Sequence, residues 1–510
     1  MAEKSNRFSA ADELPSLGVG ITYSSVVEPL IRRHASVFDV VEVEPQTTWL
    51  PTSDPKNPYR IADGTLDHLA ALPGRKLVHS IGTPVGGSVR PDPAQLKLLR
   101  KIIERFDSPY ISDHLSFNKT PEFATGFFLP PRQTPEGVEI VVRSIQDLQE
   151  SLPVPVAVET GVNYLRPRPD ELPDGGFVAS VVEGADCGLL LDLHNIFCNA
   201  LNGRQPVGDF LSQLPLDRVW EIHLAGGMEM DGFWLDAHSG AIPDPLFDIA
   251  KDVVASLPNL KAIIFEIFPS FVSSVGDDVI LAQVERLHDL WDIRSTAPET
   301  PPRVSRPVNA DTLRPGSSRD LSQPGTVSAT WERALGGLVI GRPGSEEDLM
   351  TRELSEDPGI EIINKMICEF RASMVVGVLR LTSRLMMLAL GPDVFRVVLA
   401  DFWSKSPPEL FASEEAREFA VYLRDLDLRV PQLAKVLEFE LAVLETMVDE
   451  TARVVTFDFD PLPLLRALAE GRLPDAPGSV GRFEIEVTPD GPVAASGLDL
   501  DAVQQAFPYH

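Results

Sequence analysis

The chain of 510 residues carries 45 Lys and Arg against 75 Asp and Glu, a formal charge of -30, with 44% hydrophobic residues. That length exceeds what one hydrophobic core usually serves, so a globular chain of at least two domains is expected. The negative charge opposes phosphate backbones and argues against nucleic acid as a partner, and no apolar stretch reaches the roughly 18 residues that a membrane span requires.

The amino-terminal segment lacks the apolar core of a signal peptide. Cys187, Cys198 and Cys368 make neither a disulfide framework nor a CxxC zinc pattern. A cytoplasmic protein with reduced cysteines is the expectation.

Eight short apolar runs follow one another before residue 290. Residues 17–22 (LGVGIT) come first, then 39–44 (DVVEVE), 76–79 (KLVH), 110–114 (YISDH), 154–159 (VPVAVE), 187–194 (CGLLLDLH), 218–223 (RVWEIH) and 261–266 (KAIIFE). Continuous Val/Ile/Leu runs bounded by turn residues are how strands of a parallel sheet, buried on both faces, read in sequence. Helix-like stretches at 93–105, 136–152 and 244–257 alternate with them. Eight such units predict closure into a (β/α)8 TIM-type barrel, whose working groups sit at the carboxyl ends of the strands.

Residues 294–325 are rich in Pro, Ser, Thr and Arg and read as an extended linker. The expected division is a barrel over 15–292, a linker over 293–325 and a mainly α domain over 326–510. Helical patterns there cover 359–373, 375–390, 392–404, 413–426 and 431–450, with Ser413 as an N-cap and Pro431 in a first turn. VVTFDFD and RFEIEV alternate as strands do and form a small β element.

All the runs after the first end on ligand-type residues: Glu44, His79, His114, Glu159, Asp192 with His194, His223 and Glu266. Asp236 and His238 add two more on the loop after the seventh run, so five of the nine histidines fall in this set. Imidazole with carboxylate, and no thiolate, suits iron, manganese or zinc, and more than four candidate ligands point to two or three ions. Several cations would also neutralise carboxylates that could not otherwise share one pocket while ionised.

Each residue also has a structural reading. His79 and His114 could cap strand ends, Glu159 could pair with Arg166 or Arg168, and Asp192 could cap the helix that follows it. His194 could stand behind a ligand, Asp236 and His238 could stabilise a polar loop, and Glu44 could form a salt bridge. His34, His68 and His288 read as solvated, and His510 as a tail. The glycine-rich stretches 82–88 (GTPVGGS) and Gly226-Gly227 lack phosphate-loop spacing; each is read either as a loop that admits substrate backbone or as a structural turn.

Taken in order, HSIGTPVGGS, ISDHLSFN, VAVETGVNYL, LLLDLHNIFCNALNG, EIHLAGG, LDAHSG and IIFEIFPS resemble the multinuclear non-haem iron-dependent oxidases, a family that includes the iron subunit of methanobactin biosynthesis. The resemblance implies a (β/α)8 barrel holding two or three iron ions, with dioxygen as co-substrate, that oxidises cysteine in a ribosomally made precursor peptide. Carried across by motif, the metal ligands would be His79, His114, Glu159, Asp192, His223, Asp236, His238 and Glu266. Asp192, Asp236 and His194 would serve the chemistry at the metals. Thr160, Gly227 and Phe268 depart from the residues common in relatives and bear on the third iron more than on the first two.

FWSKSPPELFASEEAREFAVYLRD and VPQLAKVLEFELAVLE are similar to the helical partner proteins of these oxidases. A natural fusion presenting a cysteine-containing precursor peptide is therefore expected, with a homodimer as the assembly considered. The principal alternative is a divalent-metal sugar isomerase or epimerase barrel, which also places His, Glu and Asp at strand ends. A metal-dependent phosphodiesterase acting on DNA is disfavoured by the charge, and a catalytically idle scaffold by the cost of converging charges with no role.

Overall fold

A computed structural model describes residues 14–62, 64–294, 327–344, 349–426, 428–476 and 478–498. The expected linker, apart from Ile293 and Arg294, and the carboxyl-terminal His510 lie outside the described residues. The helix Asp277–Arg294 takes in those two linker positions.

Eight strands close a parallel barrel: β1 (Gly18–Thr22), β2 (Val40–Val43), β3 (Arg75–Ser80), β4 (Ile111–His114), β5 (Val156–Glu159), β6 (Gly188–Asp192), β7 (Val219–Ala225) and β8 (Ala262–Glu266). The order around the ring is β1-β8-β7-β6-β5-β4-β3-β2. The expected helices appear as Pro93–Phe106, Pro135–Ser151 and Asp244–Val254. The barrel is thus the fold that the alternation predicts.

Alternate residues of a strand share a face, and this periodicity sorts the barrel interior into layers. Leu77, Ala157 and Ile264 stand two positions before His79, Glu159 and Glu266, and they join Val40, Tyr110, Trp220 and Ala262 in one apolar cluster. Trp220 fits because β6 has Gly188 there: a Cβ at that position would lie 2.2 Å from the indole. The apolar plug fills one end of the barrel, and the polar residues gather at the carboxyl ends of the strands.

Register then sets the ligand-type residues side by side. His114 pairs with Glu159 across β4 and β5, Asp192 with His223 across β6 and β7, and Thr22 with Glu42 across β1 and β2.

The described residues divide into two compact units. The first lies within 1–47, 64–122 and 128–363, the second within 48–63, 123–127 and 364–510. This differs from a boundary at 326, because residues 327–363 pack into the unit that contains the barrel. Trp331 of the helix Val327–Val339 is buried, donates from Nε1 to the Pro130 carbonyl (3.3 Å), and lies 5.4 and 5.2 Å from the guanidinium carbons of Arg132 and Arg168. Glu332 accepts from the backbone and hydroxyl of Ser88, and Asp357 from the backbone of Arg166.

The second unit has its own core, including Phe402, Phe419, Phe439, Phe457 and Ile485. Three of its strands, β9 (Arg453–Phe459), β10 (Val480–Thr488) and β11 (Gly491–Ser496), form an antiparallel sheet in that order. The expected continuous helix over 375–390 is instead broken at Leu379, between Gly359–Val378 and Arg380–Leu390, with a bend of 109°. Glu440 accepts hydrogen bonds from the backbone N–H groups of Leu381 and Thr382 and so caps the new helix start from another element. Two other expectations shift. The helix Ala412–Arg424 is capped at Phe411, placing Ser413 inside its first turn. The helix Leu433–Asp449 starts after Gln432, leaving Pro431 ahead of it. Among the described residues no single helix is long and apolar enough to cross a membrane.

Candidate metal centre

The ligand-type residues at the barrel's carboxyl end form a linked series of imidazoles and carboxylates. Glu159 Oε2 lies 3.2 Å from His79 Nε2 and 3.1 Å from His114 Nε2, while Glu159 Oε1 is 3.8 Å from His223 Nδ1. His223 Nδ1 is 3.2 Å from Glu266 Oε2, which is 3.6 Å from His238 Nε2. His238 Nε2 and His194 Nδ1 then meet the same Asp236 oxygen at 2.8 and 2.9 Å. Asp192 belongs with Glu159, His223 and Glu266 in one group of closely spaced ligand-type atoms.

These side chains are held from behind. His79 Nδ1 shares a hydrogen bond of 2.8 Å with the Ser112 hydroxyl. His114 Nδ1 lies 3.2 Å from the Ser80 carbonyl, which can only accept, so the proton is on Nδ1 and the Nε2 lone pair faces inward. Such outward partners fix the tautomer and ring orientation of metal-binding histidines. Asp192 does cap the following helix, Oδ1 accepting from Asn195 N at 2.9 Å, but its other oxygen is buried without a hydrogen-bond partner.

Glu159 Oε2, Asp192 Oδ2, His223 Nδ1, His238 Nε2 and Glu266 Oε2 are all buried atoms that make no hydrogen bond. Buried polar atoms are nearly always satisfied, and these five converge with donor spacings that suit cations. The donor set, mixed N and O with no thiolate, fits iron, manganese or zinc. His79, His114 and Glu159 form one group, Glu159, Asp192, His223 and Glu266 a second, and His194, Asp236 and His238 a third.

The electrostatics carry the same message. Burial disfavours a charged His79, yet the carboxylates of Glu42 and Glu159 outweigh it and hold the imidazole up at about 10. Burial likewise opposes charge on His238, but Asp236 and Glu266 lift it to about 10. Asp192 goes the other way: burial, then the negative charges of Asp236, Glu159 and Glu266, push it well above the usual carboxylate range. The cluster has more carboxylate than it can ionise unaided, a balance that bound cations would supply in place of protons.

The structural alternatives resolve residue by residue. Glu159 faces the histidines, whereas Arg168 stacks over Trp331 and lies 3.9 Å from Asp357. Glu44 is half-buried and joins none of the groups of ligand-type atoms found among the described residues. His68 is exposed but bonded to Glu28, and His288 is bonded to the Val37 carbonyl. In 82–88 the backbone of Val85 and Gly86 donates to the carbonyls of His114 and Ser116, and a Cβ at Gly86 would lie 2.7 Å from Ser116 backbone, so this loop is strapped down as a turn.

Residues that the sequence reading passed over complete the site. Glu42 and Glu221 are fully buried and adjoin His223 Nε2 at 3.3 and 3.5 Å. Their signal was spacing: Glu221 stands two before His223 and Glu42 two before Glu44, hence on inward faces. Phe128 stacks on His114 at 4.1 Å, and Phe268, which the sequence marks only as a departure from relatives, leans on His238 at 4.4 Å. His238 itself has φ of 43°, a left-handed backbone uncommon outside glycine, maintained by Phe268 N bonding to its carbonyl.

Fold and site together define a barrel with ligand-type residues gathered at the mouth. Residues 18–268 match the family described as RiPP precursor modification enzyme MbnB/TglH/ChrH. A UPF0276 protein of Streptomyces avermitilis is 28% identical over 250 residues, covering 48% of this chain and 49% of the relative. A UPF0276 protein of Chromobacterium violaceum is 31% identical over 177 residues, covering 35% of this chain and 64% of the relative. The chain therefore spans about half of the first relative and less than two thirds of the second. Among solved structures, the IolI protein with a zinc atom and D-psicose 3-epimerase from Clostridium cellulolyticum each cover 55% of this chain and 99% of their own, at 14% identity and a TM-score of 0.35.

Proposed function

We propose that the chain is an iron- and dioxygen-dependent oxidase that modifies cysteine in a ribosomally made precursor peptide. The observation that carries this reading is the convergence of five buried, hydrogen-bond-free ligand atoms within the region matched by the peptide-modification family. The proposed ligands are His79, His114, Glu159, Asp192, His223, Asp236, His238 and Glu266: the first two groups share Glu159, and Asp236 and His238 stand in the third beside His194. Bound iron would supply redox chemistry with dioxygen and lower the pKa of a cysteine thiol.

The protein's own residues supply the rest. Ser112 and the Ser80 carbonyl orient His79 and His114, and His194 is held on Asp236 as a positioning partner. Phe128 and Phe268 pack their rings against His114 and His238 and limit how those imidazoles can turn. In the same reading the second unit, with its separate core, binds a leader or flanking segment of the peptide and raises the local concentration of the reacting cysteine.

A metal-dependent sugar isomerase or epimerase is the second reading, favoured by the group of Glu159, Asp192, His223 and Glu266, which would by itself suit a single divalent ion. It leaves the His194, Asp236 and His238 group without a role. Elemental analysis with an iron valence spectrum separates the two. Two or three irons per chain, and a mass change in a cysteine-containing precursor peptide under dioxygen, support the oxidase. One manganese, magnesium or zinc ion without iron would sink it.

A further inference from the structure

β1 ends at Thr22, and its carboxyl end offers no ligand-type residue. That residue is not idle. Its hydroxyl donates to Glu42 Oε2 at 3.2 Å, and the other oxygen of the same carboxylate lies 3.3 Å from His223 Nε2. Thr22 and Glu42 are register partners across β1 and β2, so the sheet sets this contact. Glu42 and His223 are both fully buried, so bulk solvent does not reach the bond.

We infer that Thr22 and Glu42 are positioning residues for His223: Glu42 takes the Nε2–H, leaving the Nδ1 lone pair aimed at the group of Glu159, Asp192 and Glu266. The geometry at the other side of the ring agrees. Nδ1 makes no hydrogen bond although it is buried, and it lies 3.2 Å from Glu266 Oε2 and 3.8 Å from Glu159 Oε1. An imidazole has one lone pair when neutral, and the partner on its far nitrogen decides which side carries it. Glu42 reaches His223 across the barrel from a strand that contributes no proposed ligand. The alternative use of the same atoms is a deeper cation site on Glu42, Glu221 and His223, whose ligand-type atoms also lie close together. The hydrogen bond from Thr22 favours the positioning role, because it occupies a Glu42 oxygen with a donor. This inference rests on the metal-binding reading of the site.

The test uses the full chain, with Zn2+ as the probe metal in chelator competition, and compares wild type with Thr22→Val, Glu42→Gln and Glu42→Leu. Loss of an outer partner of this kind weakens metal binding about 10- to 100-fold. Glu42→Leu is expected to weaken the tightest Zn2+ class involving His223 by that factor with unchanged stoichiometry at saturation. Glu42→Gln, which keeps an acceptor oxygen, should restore much of it, and Thr22→Val should fall between wild type and Leu. In the Zn2+ form of 15N-histidine-labelled protein, the His223 Nε2–H signal should be present in wild type and lost to solvent exchange in Glu42→Leu. Unchanged affinity in Glu42→Leu would overturn the inference while leaving the metal reading intact. Loss of one whole zinc equivalent in both Glu42 variants would make Glu42 a ligand and overturn it too. No zinc bound by wild type would remove the metal reading itself, and the positioning role with it. Should Glu42→Leu fail to fold, the Gln and Val variants decide.

Discussion

Glu159 and His223 face one another across the barrel mouth, Oε1 to Nδ1 at 3.8 Å, while the second oxygen of Glu159 touches both His79 and His114. One carboxylate therefore belongs to two of the three groups that contain the proposed ligands. Its removal should release more metal than removal of a residue belonging to one group. Glu159→Ala is expected to lose two equivalents, and His114→Ala or Asp236→Ala one each, with circular dichroism unchanged. Elemental analysis of the three variants checks this; equal losses would mean that the groups do not share Glu159.

The barrel was legible because its strands are buried on both faces and so read as short apolar runs ending on polar residues. His79, His114, Glu159, Asp192, His223 and Glu266 were visible for the same reason, each standing where a run stops. Glu42 and Glu221 were not, since a single carboxylate inside an apolar run looks like an irregularity until a partner strand brings His223 beside it. The break at Leu379 was hidden because its cap, Glu440, comes from a distant helix. Local helix propensity carries no trace of that contact. The grouping of residues 48–63 and 123–127 with the second unit likewise depends on contacts such as Tyr59 with Phe411, ring centroids 5.4 Å apart, which no local pattern announces.

Gly227 marks a place where the third ligand group has no slack. A Cβ there would lie 2.4 Å from Trp234 Nε1 and 2.7 Å from both His194 Nε2 and the Leu235 carbonyl. Gly227→Ala must therefore push the His194 ring or the strand carrying Trp234. Overpacking of this kind costs about 1–3 kcal/mol. The expected result is a drop of that size in denaturant stability together with weaker binding at His194, Asp236 and His238. Metal at His79 and His114 should remain.

Glu332 predicts a pH dependence in the barrel's unit. Burial raises its carboxyl to about 7 in spite of the Ser88 hydrogen bonds, which favour the ionised form. An acid whose folded value is raised binds its proton more tightly in the folded state. Stability from this group is fully present below the unfolded value of 4.5, declines as pH rises toward about 7, and is gone above it. At roughly 1.4 kcal/mol per unit the swing is on the order of 3 kcal/mol. Melting temperatures at pH 5 and pH 8 should differ more in wild type than in Glu332→Gln, which keeps an acceptor for Ser88. Identical pH profiles would assign the dependence to other groups.

The second unit holds a buried ion pair whose two halves should behave differently from their sum. Arg371 Nε donates to Glu415 Oε1 at 2.7 Å, and its Nη2 donates to the carbonyls of Ser406 and Pro407 at 3.0 and 3.1 Å. Glu415 Oε2 accepts from Glu409 N, so this carboxylate also fixes the turn before its own helix. Taking away one partner of a buried pair costs about 3–5 kcal/mol because the other charge stays desolvated, whereas an apolar replacement of both is often nearly neutral. Glu415→Ala should accordingly destabilise the second unit by about that amount. The double variant Arg371→Met with Glu415→Leu should recover most of the loss, less the share due to the Glu409, Ser406 and Pro407 bonds. Urea unfolding of the single and double variants measures the coupling. A double variant as unstable as the single one would show that the turn contacts, rather than the charge pair, hold this part of the core.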